Sequence, residues 1–374
     1  MQRFAFIVHP IDARRDVSRK YPIAKFLPNR SIEWYIKKRD PLIVADAIGI
    51  RSITGEEARG WFIACPLTPR QLVSLPLDFV WNKLEQCGRL AQEVGAGILG
   101  LGAFTSVVGD GGITIERRLR ERNVTIAVTT GNSYTVATAV EAALDGAIRM
   151  GISIENAKVA VVGATGSIGR TCAHLLAPRT AEIALIGRDI GRLEQVASEI
   201  PSPNVSLYSD VRTGLRDAQL VVTVTSAVEA VIQPEDLAIG AVVCDVARPR
   251  DTSVRVVKER DDVLVVEGGV VAVPGPDADF HFNFGFPSKT AYACMSETMI
   301  LALEGRYESF TLGKDVTVAQ VQEIARLAAK HGFQLAGYRS FEKAVTEETI
   351  AATRRNAERK RREAAKPETV TVAA

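Results

Sequence analysis

The sequence predicts an α/β protein: a parallel sheet flanked by helices, a smaller α/β portion before it and helices after it. Three observations carry this. From residue 158, short apolar strands alternate with helical stretches: KVAVV, RTCAHLLA, EIALIG, RLEQVASEI, LVVTVTSA, AVVCDVA and VLVVEGG. That alternation belongs to strands buried on both faces and joined by crossover helices. A glycine-rich turn, GATGSIG, separates the first strand from the first helix. Finally, 374 residues at 47% hydrophobic and 24% charged suffice for two domains with large cores.

The elements follow in order. Residues 2–9 (QRFAFIVH) predict a strand. Residues 13–39 carry nine Lys/Arg, interleaved with Tyr21, Phe26, Trp34 and Tyr35. A solvated face explains such a run, and so does a docking surface for an acidic partner or an anionic membrane. Residues 42–64 predict two strands around a turn at Thr54-Gly55, and 79–95 an amphipathic helix ending near Gly95. GAGILGLGAFTSVVGDGG, 95–112, fits a strand packed against other backbone or a smooth groove for an apolar ligand. VTIAVTT, 124–130, is another strand. The helix over 131–151 that follows it can be capped by Ser133. After the sheet region, 271–287 reads as loop. Helices are expected over 288–304 and 317–331, closed by Gly305 and Gly332. The tail has seven Lys/Arg between Arg354 and Lys366 and is read as a fraying basic helix followed by disorder. The implied division is an N-terminal domain 1–130, a dinucleotide-binding domain 131–275, a C-terminal helical segment 276–345 and a tail 346–374.

A net charge of +2 gives no reason to expect a nucleic-acid partner. The five cysteines, Cys65, Cys87, Cys172, Cys244 and Cys294, are scattered, with neither CxxC nor metal spacing. The start resembles no signal peptide, and no 18-residue apolar run exists, so a reduced, cytoplasmic setting is expected.

The strongest motif is VAVVGATGSIGRTC, 159–172. It follows an apolar strand, opens a helix and precedes a second strand, the context in which a glycine turn holds a dinucleotide. Gly163 allows the tight turn, Gly166 the approach of a pyrophosphate, and Gly169 close helix–strand packing. Thr165, Ser167 and Ile168 complete the turn, whose helix N-terminus offers free N–H groups to the phosphates. The domain is therefore Rossmann-like. The second strand ends in Gly187-Arg188 where an NAD site wants a carboxylate, and a guanidinium there suits a 2′-phosphate. NADPH is the expected cofactor. Thr225 and Ser226, at the end of the fourth strand, are placed beside it.

Four histidines, His9, His174, His281 and His331, lack mutual metal spacing. His331 ends a helix, where a cation favours the dipole; alternatively it is an acid facing the cleft. Cys294 falls on the stripe Ala291, Cys294, Thr298, Leu301, in the second turn of the expected helix. That spacing suits a core cysteine as well as a reactive one.

Read together, SITGEEARGWFIAC (52–65), GAFTSVV (102–108), TTGNSYT (129–135), VAVVGATGSIG (159–169), VEGGVV (266–271), AYACMSETMILALEG (291–305) and KHGFQ (330–334) resemble the cyanobacterial long-chain acyl-[acyl-carrier-protein] reductases. The resemblance covers roughly residues 40–335; the first 40 residues and the basic tail depart from it. It implies NADPH-dependent formation of a fatty aldehyde, with Cys294 of A-C-x-x-E as the acyl-carrying nucleophile. Thr130, Asn132 and Ser133, with Thr105 and Ser106, are the candidate oxyanion donors, and His331 a candidate proton donor. The implied acyl donor is an acyl carrier protein or acyl-CoA, with peripheral membrane contact open. The alternatives are a shikimate-dehydrogenase-like oxidoreductase acting on a small polar alcohol and a non-catalytic NADPH-binding scaffold. The N-x-T-x-P-x-K segment of the former is absent.

Overall fold

The computed structural model describes residues 1–202, 204–285 and 287–365. The chain forms two compact units. The first comprises residues 1–138, 166–171 and 269–337, the second 139–165, 172–268 and 338 onward.

The first unit is built on a five-stranded sheet. Its strands are β1 (Gln2–Val8), β2 (Leu42–Arg51), β3 (Glu57–Ala64), β4 (Ile98–Leu101) and β5 (Ala127–Thr129), in the order β2-β3-β1-β4-β5. All neighbours run parallel except the edge strand β2. Alternation along β1 sends Phe4 and Phe6 to one face, and Ala5 and Ile7 to the other. The first face packs against helix Ala293–Leu303, whose Met299, Ile300, Leu301 and Ala302 are fully buried. The second face packs against helix Leu77–Glu93 through Val80, Leu84 and Cys87. A helix buried on nearly all sides, such as Ala293–Leu303, is stable only inside a protein.

The expected strand within 95–112 is short. β4 spans four residues, and a helical turn Phe104–Val107 follows. A Cβ on Gly100 would lie 2.2 Å from Thr298 Oγ1 and 2.3 Å from the Phe6 ring. The space beside this glycine is therefore filled by the protein, which favours, of the two alternatives, close packing over a groove.

The second unit holds a six-stranded parallel sheet: β6 (Lys158–Val162), β7 (Glu182–Ile186), β8 (Val205–Tyr208), β9 (Leu220–Thr223), β10 (Val242–Asp245) and β11 (Leu264–Glu267). Their order, β11-β10-β9-β6-β7-β8, is the doubly wound order with its reversal beside β6, the Rossmann-like arrangement expected. β8 is partly exposed along its whole length and has no apolar run to mark it in the sequence.

The expected helix 288–304 is shortened at its start. Residues 290–292 form β13, paired antiparallel with β12 (Val270–Ala272), and the helix begins at Ala293. Lys289, at φ 61, turns the chain into that strand. Helix Val318–His331 ends on Gly332 in the left-handed region, as expected. The basic tail forms helix Glu347–Ala364. Its Lys360 pairs with Asp262, and Arg361 donates to Ile239 O, so it is pinned to its unit rather than fraying. The disorder expected beyond it falls on residues 366–374, outside the described residues. Among the described residues no helix is long and apolar enough to cross a membrane.

Candidate active site

The shortened helix changes the setting of Cys294. It is the second residue of helix Ala293–Leu303, in the first turn rather than the second. The positive end of a helix dipole acts within that turn and favours a thiolate over a thiol. The other four cysteines, Cys65, Cys87, Cys172 and Cys244, are buried, while Cys294 is partly exposed. Burial pushes the Cys172 thiol up to about 12, and the Cys87 and Cys244 thiols upward as well.

The TTGN turn lies directly on the cysteine. Gly131 has φ +75, and a Cβ there would sit 2.3 Å from Cys294 Cα and 2.4 Å from its Cβ. Both the backbone conformation and the contact require glycine. The turn is held by Glu297, three residues along the helix from Cys294 and fully buried. Its carboxylate accepts from Thr129 Oγ1 (2.5 Å), Ser133 Oγ (2.6 Å), Tyr134 N (2.9 Å) and Thr311 Oγ1 (2.9 Å). Four donors satisfy a buried carboxylate that would otherwise be costly. One of them, Tyr134 N, belongs to the first turn of helix Asn132–Arg149, where an anion also meets that helix's dipole.

This geometry redistributes the expected roles. Ser133 gives its hydroxyl to Glu297 instead of capping the helix. Thr130 Oγ1 donates to Thr311 O at 2.9 Å. Thr105 Oγ1 donates to Gly102 O at 2.7 Å, and Ser106 Oγ to Ala103 O at 2.6 Å. These hydroxyl protons are committed to the protein's own acceptors, so none of the four is placed as an oxyanion donor. Asn132 Nδ2 donates to Ser167 Oγ at 3.0 Å, tying the TTGN turn to the first turn of the glycine-motif helix. His331 does not face a cleft. It is fully buried, with Nδ1 2.9 Å from Ser52 Oγ and Nε2 2.8 Å from Glu304 Oε2. It fastens three segments together, with both ring nitrogens engaged by the protein's own groups.

Sequence reasoning missed Thr311 and the role of Glu297, the glutamate of A-C-x-x-E. For Glu297 a signal existed: it is the single carboxylate in the apolar run AYACMSETMILAL. A lone charge on a helix buried all round must have partners. Thr311 lies outside every motif and offered none.

The glycine turn keeps its expected form. Gly163 is at φ +84, where a Cβ would sit 2.6 Å from Val224 O. Its N–H and that of Ala164 donate to Ile186 O, at 2.9 and 3.2 Å, fixing the turn to the end of β7. Thr165, Ser167 and Ile168 are partly exposed, Gly166 is exposed and Gly169 is buried, and helix Ser167–Leu176 follows. Arg188 is exposed and has no ion pair or hydrogen bond among the described residues. Asp189 caps helix Ile190–Glu199, accepting from Arg192 N at 3.2 Å, and so turns its carboxylate to the backbone. Thr225 is braced by the buried Asp251, which accepts from Thr225 N and Thr223 Oγ1, both at 2.7 Å. Ser226 is exposed beside it. Asp245, also buried, accepts from the N–H groups of Ala247 (3.0 Å) and Thr252 (2.8 Å); burial pushes its carboxyl up to about 6. A tight turn, a helix start and an uncommitted cation together fit a nicotinamide dinucleotide.

The shikimate / quinate 5-dehydrogenase family model matches residues 146–267. The aminotransferase PigE of Serratia sp. is 31% identical over 344 residues, covering 88% of this chain but 39% of that protein, so the chain spans about two fifths of that relative. A long-chain acyl-[acyl-carrier-protein] reductase of Synechococcus elongatus is 28% identical over 346 residues, covering 88% of this chain and 98% of that one. Among solved structures, L-tryptophan dehydrogenase from Nostoc punctiforme matches 97% of this chain and 89% of its own at 12% identity and a TM-score of 0.41. The class is thus an oxidoreductase-type protein with an NAD(P)-binding fold. Within that class the chain is a distant homologue of the acyl-[acyl-carrier-protein] reductase.

Proposed function

We propose that the chain reduces a long-chain fatty acyl thioester to the aldehyde with NADPH, through an acyl group held on Cys294. One observation carries this reading: the partly exposed cysteine lies in the first turn of a buried helix, against Gly131 of the TTGN turn. The distant homology to the acyl-[acyl-carrier-protein] reductase over nearly its whole length supports it.

The Cys294 thiolate attacks the thioester carbonyl carbon. A new C–S bond forms, the bond to the carrier's sulfur breaks, and the carrier leaves as a thiol after taking a proton from solvent. One thioester replaces another, so capture is nearly neutral in energy. The developing oxyanion is stabilised by the positive end of the Ala293–Leu303 helix. When bound, the reduced nicotinamide would supply a hydride to the thioester carbon, leaving the thiohemiacetal anion on Cys294. Breaking the C–S bond then frees the aldehyde and restores the thiolate. Glu297 acts as a positioning residue, holding Gly131 against the cysteine. Gly163, Gly166 and Gly169 would make the dinucleotide turn, with Thr165, Ser167 and Ile168 along it and Thr225 and Ser226 beside it; Arg188 would take the 2′-phosphate.

The test is turnover. With palmitoyl-CoA or a palmitoyl carrier protein, NADPH oxidation should match hexadecanal formation, and Cys294→Ala should abolish both. Hydride transfer between NADP⁺ and a small polar alcohol, with no acyl turnover, would support the shikimate-dehydrogenase-like alternative. NADPH binding without either activity would support the scaffold.

A further inference from the structure

The segment before β2 holds none of the residues assigned to the chemistry described above. Helices Ala13–Ser18 and Asn29–Ile36 and the short 3-10 helix Pro22–Phe26 enclose a small core of Ala13, Ala24 and Ile32. Ala24 faces inward, and its neighbours therefore face out. Phe26 is 85% exposed, Ile23 72% and Trp34 57%, with Tyr21, Leu27 and Tyr35 also exposed. Single exposed apolar residues are ordinary; six within fifteen positions mark a contact surface.

The same surface is positive. Lys25, between Ile23 and Phe26, is exposed, as is Arg30, and neither forms an ion pair among the described residues. Lys38 lies over the Trp34 ring at 3.6 Å. The segment's four carboxylates are turned to other tasks: Asp12 accepts from Arg15 N at 2.7 Å, and Asp40 pairs with Lys83. Asp16 accepts from the N–H groups of Ile11 (2.8 Å) and Asp12 (2.9 Å), while Glu33 pairs with Arg70.

We infer that this segment seats the protein on an anionic membrane surface, with Ile23 and Phe26 entering the acyl boundary and Lys25 and Arg30 at headgroup level. Exposed aliphatic and aromatic tips flanked by cations are what an interfacial anchor requires. An acidic carrier protein would be met by the cations and would leave Ile23 and Phe26 without hydrocarbon. The inference leans on the proposed function only for its benefit, since a long-chain aldehyde partitions into lipid; the surface stands without it.

The full-length protein is floated with vesicles of phosphatidylcholine, and with vesicles of phosphatidylcholine and phosphatidylglycerol. It should rise with the anionic vesicles, less so at high salt, and Ile23→Glu/Phe26→Glu should weaken binding about tenfold or more. Wild-type protein that stays at the bottom of the gradient overturns the inference, and so does a double variant that floats like wild type. Unchanged flotation with lost affinity for palmitoyl carrier protein assigns the surface to the carrier instead. Acylation of the double variant by palmitoyl-CoA, measured without vesicles, reports the proposed chemistry separately. It should equal wild type, and if both fail to acylate while wild type floats, the chemistry falls and the membrane surface stands.

Discussion

Two buried carboxylates, one in each unit, brace the two candidate regions, and they are assembled differently. Asp251 holds the end of β9 through Thr223 and Thr225, two residues apart on one strand end. Glu297 gathers Thr129, Ser133, Tyr134 and Thr311, from two segments distant from each other and from its own helix in the case of the first three. The groups that Asp251 braces are thus neighbours in the chain. The cysteine region exists only when separate parts of the chain come together, so it should be the more sensitive to single changes.

Glu297→Ala should test that difference most severely. It strands three hydroxyls and an N–H in a buried site, costing about 3–5 kcal/mol of unfolding free energy. Urea denaturation measures this, and a loss under 1 kcal/mol would reduce the carboxylate to the value of a surface pair. Glu297→Gln, with one oxygen kept, should recover part of the loss.

In the second unit, Asp245 gives a pH dependence. Burial raises its native carboxyl to about 6, above its unfolded value. Between the two values the native state keeps a proton that the unfolded state has released, so stability falls as pH rises towards 6 and is level above it. The contribution is at most about 3 kcal/mol. Unfolding free energy followed from pH 4 to 7 should contain this decline, and Asp245→Asn should remove it. An identical pH profile in the variant would contradict the assignment.

Gly131→Ala should cost about 2 kcal/mol through its positive φ and its overlap with Cys294. It should slow acylation more than it weakens NADPH binding; equal effects on both would show that the turn does not act on the cysteine specifically. The smallest effect on stability is expected at Arg188, exposed and outside the protein's own hydrogen-bond network. Arg188→Ala should weaken NADPH about 10- to 100-fold and NADH little, read by fluorescence titration. Equal weakening would remove the 2′-phosphate from this site.

What could be read in advance follows the same division. The order of elements from β6 to β11 was legible because each strand is a short apolar run and each turn carries its own glycine or cap. Among the strands β8, partly exposed along its length, escaped, and so did the short helices Val211–Leu215 and Val254–Glu259. The start of the cysteine helix was misplaced because Ala291 and Cys294 have helical spacing while residues 290–292 are held extended by pairing with β12. That pairing is tertiary and leaves no local mark. His331 looked available because its helix end was visible and its partners Ser52 and Glu304 were not. Thr130, Ser133, Thr105 and Ser106 were read by residue type, which gives the capacity to donate but not the acceptor that takes the proton.

The central claim is that Cys294 carries the acyl group, and intact mass tests it most directly. The protein is incubated with palmitoyl-CoA without NADPH, quenched in acid and weighed, alongside Cys294→Ala. The account predicts one palmitoyl adduct on wild type, absent from the variant and discharged when NADPH is added before the quench. An adduct of equal yield on both proteins, or none on wild type under conditions where aldehyde is formed, would contradict it.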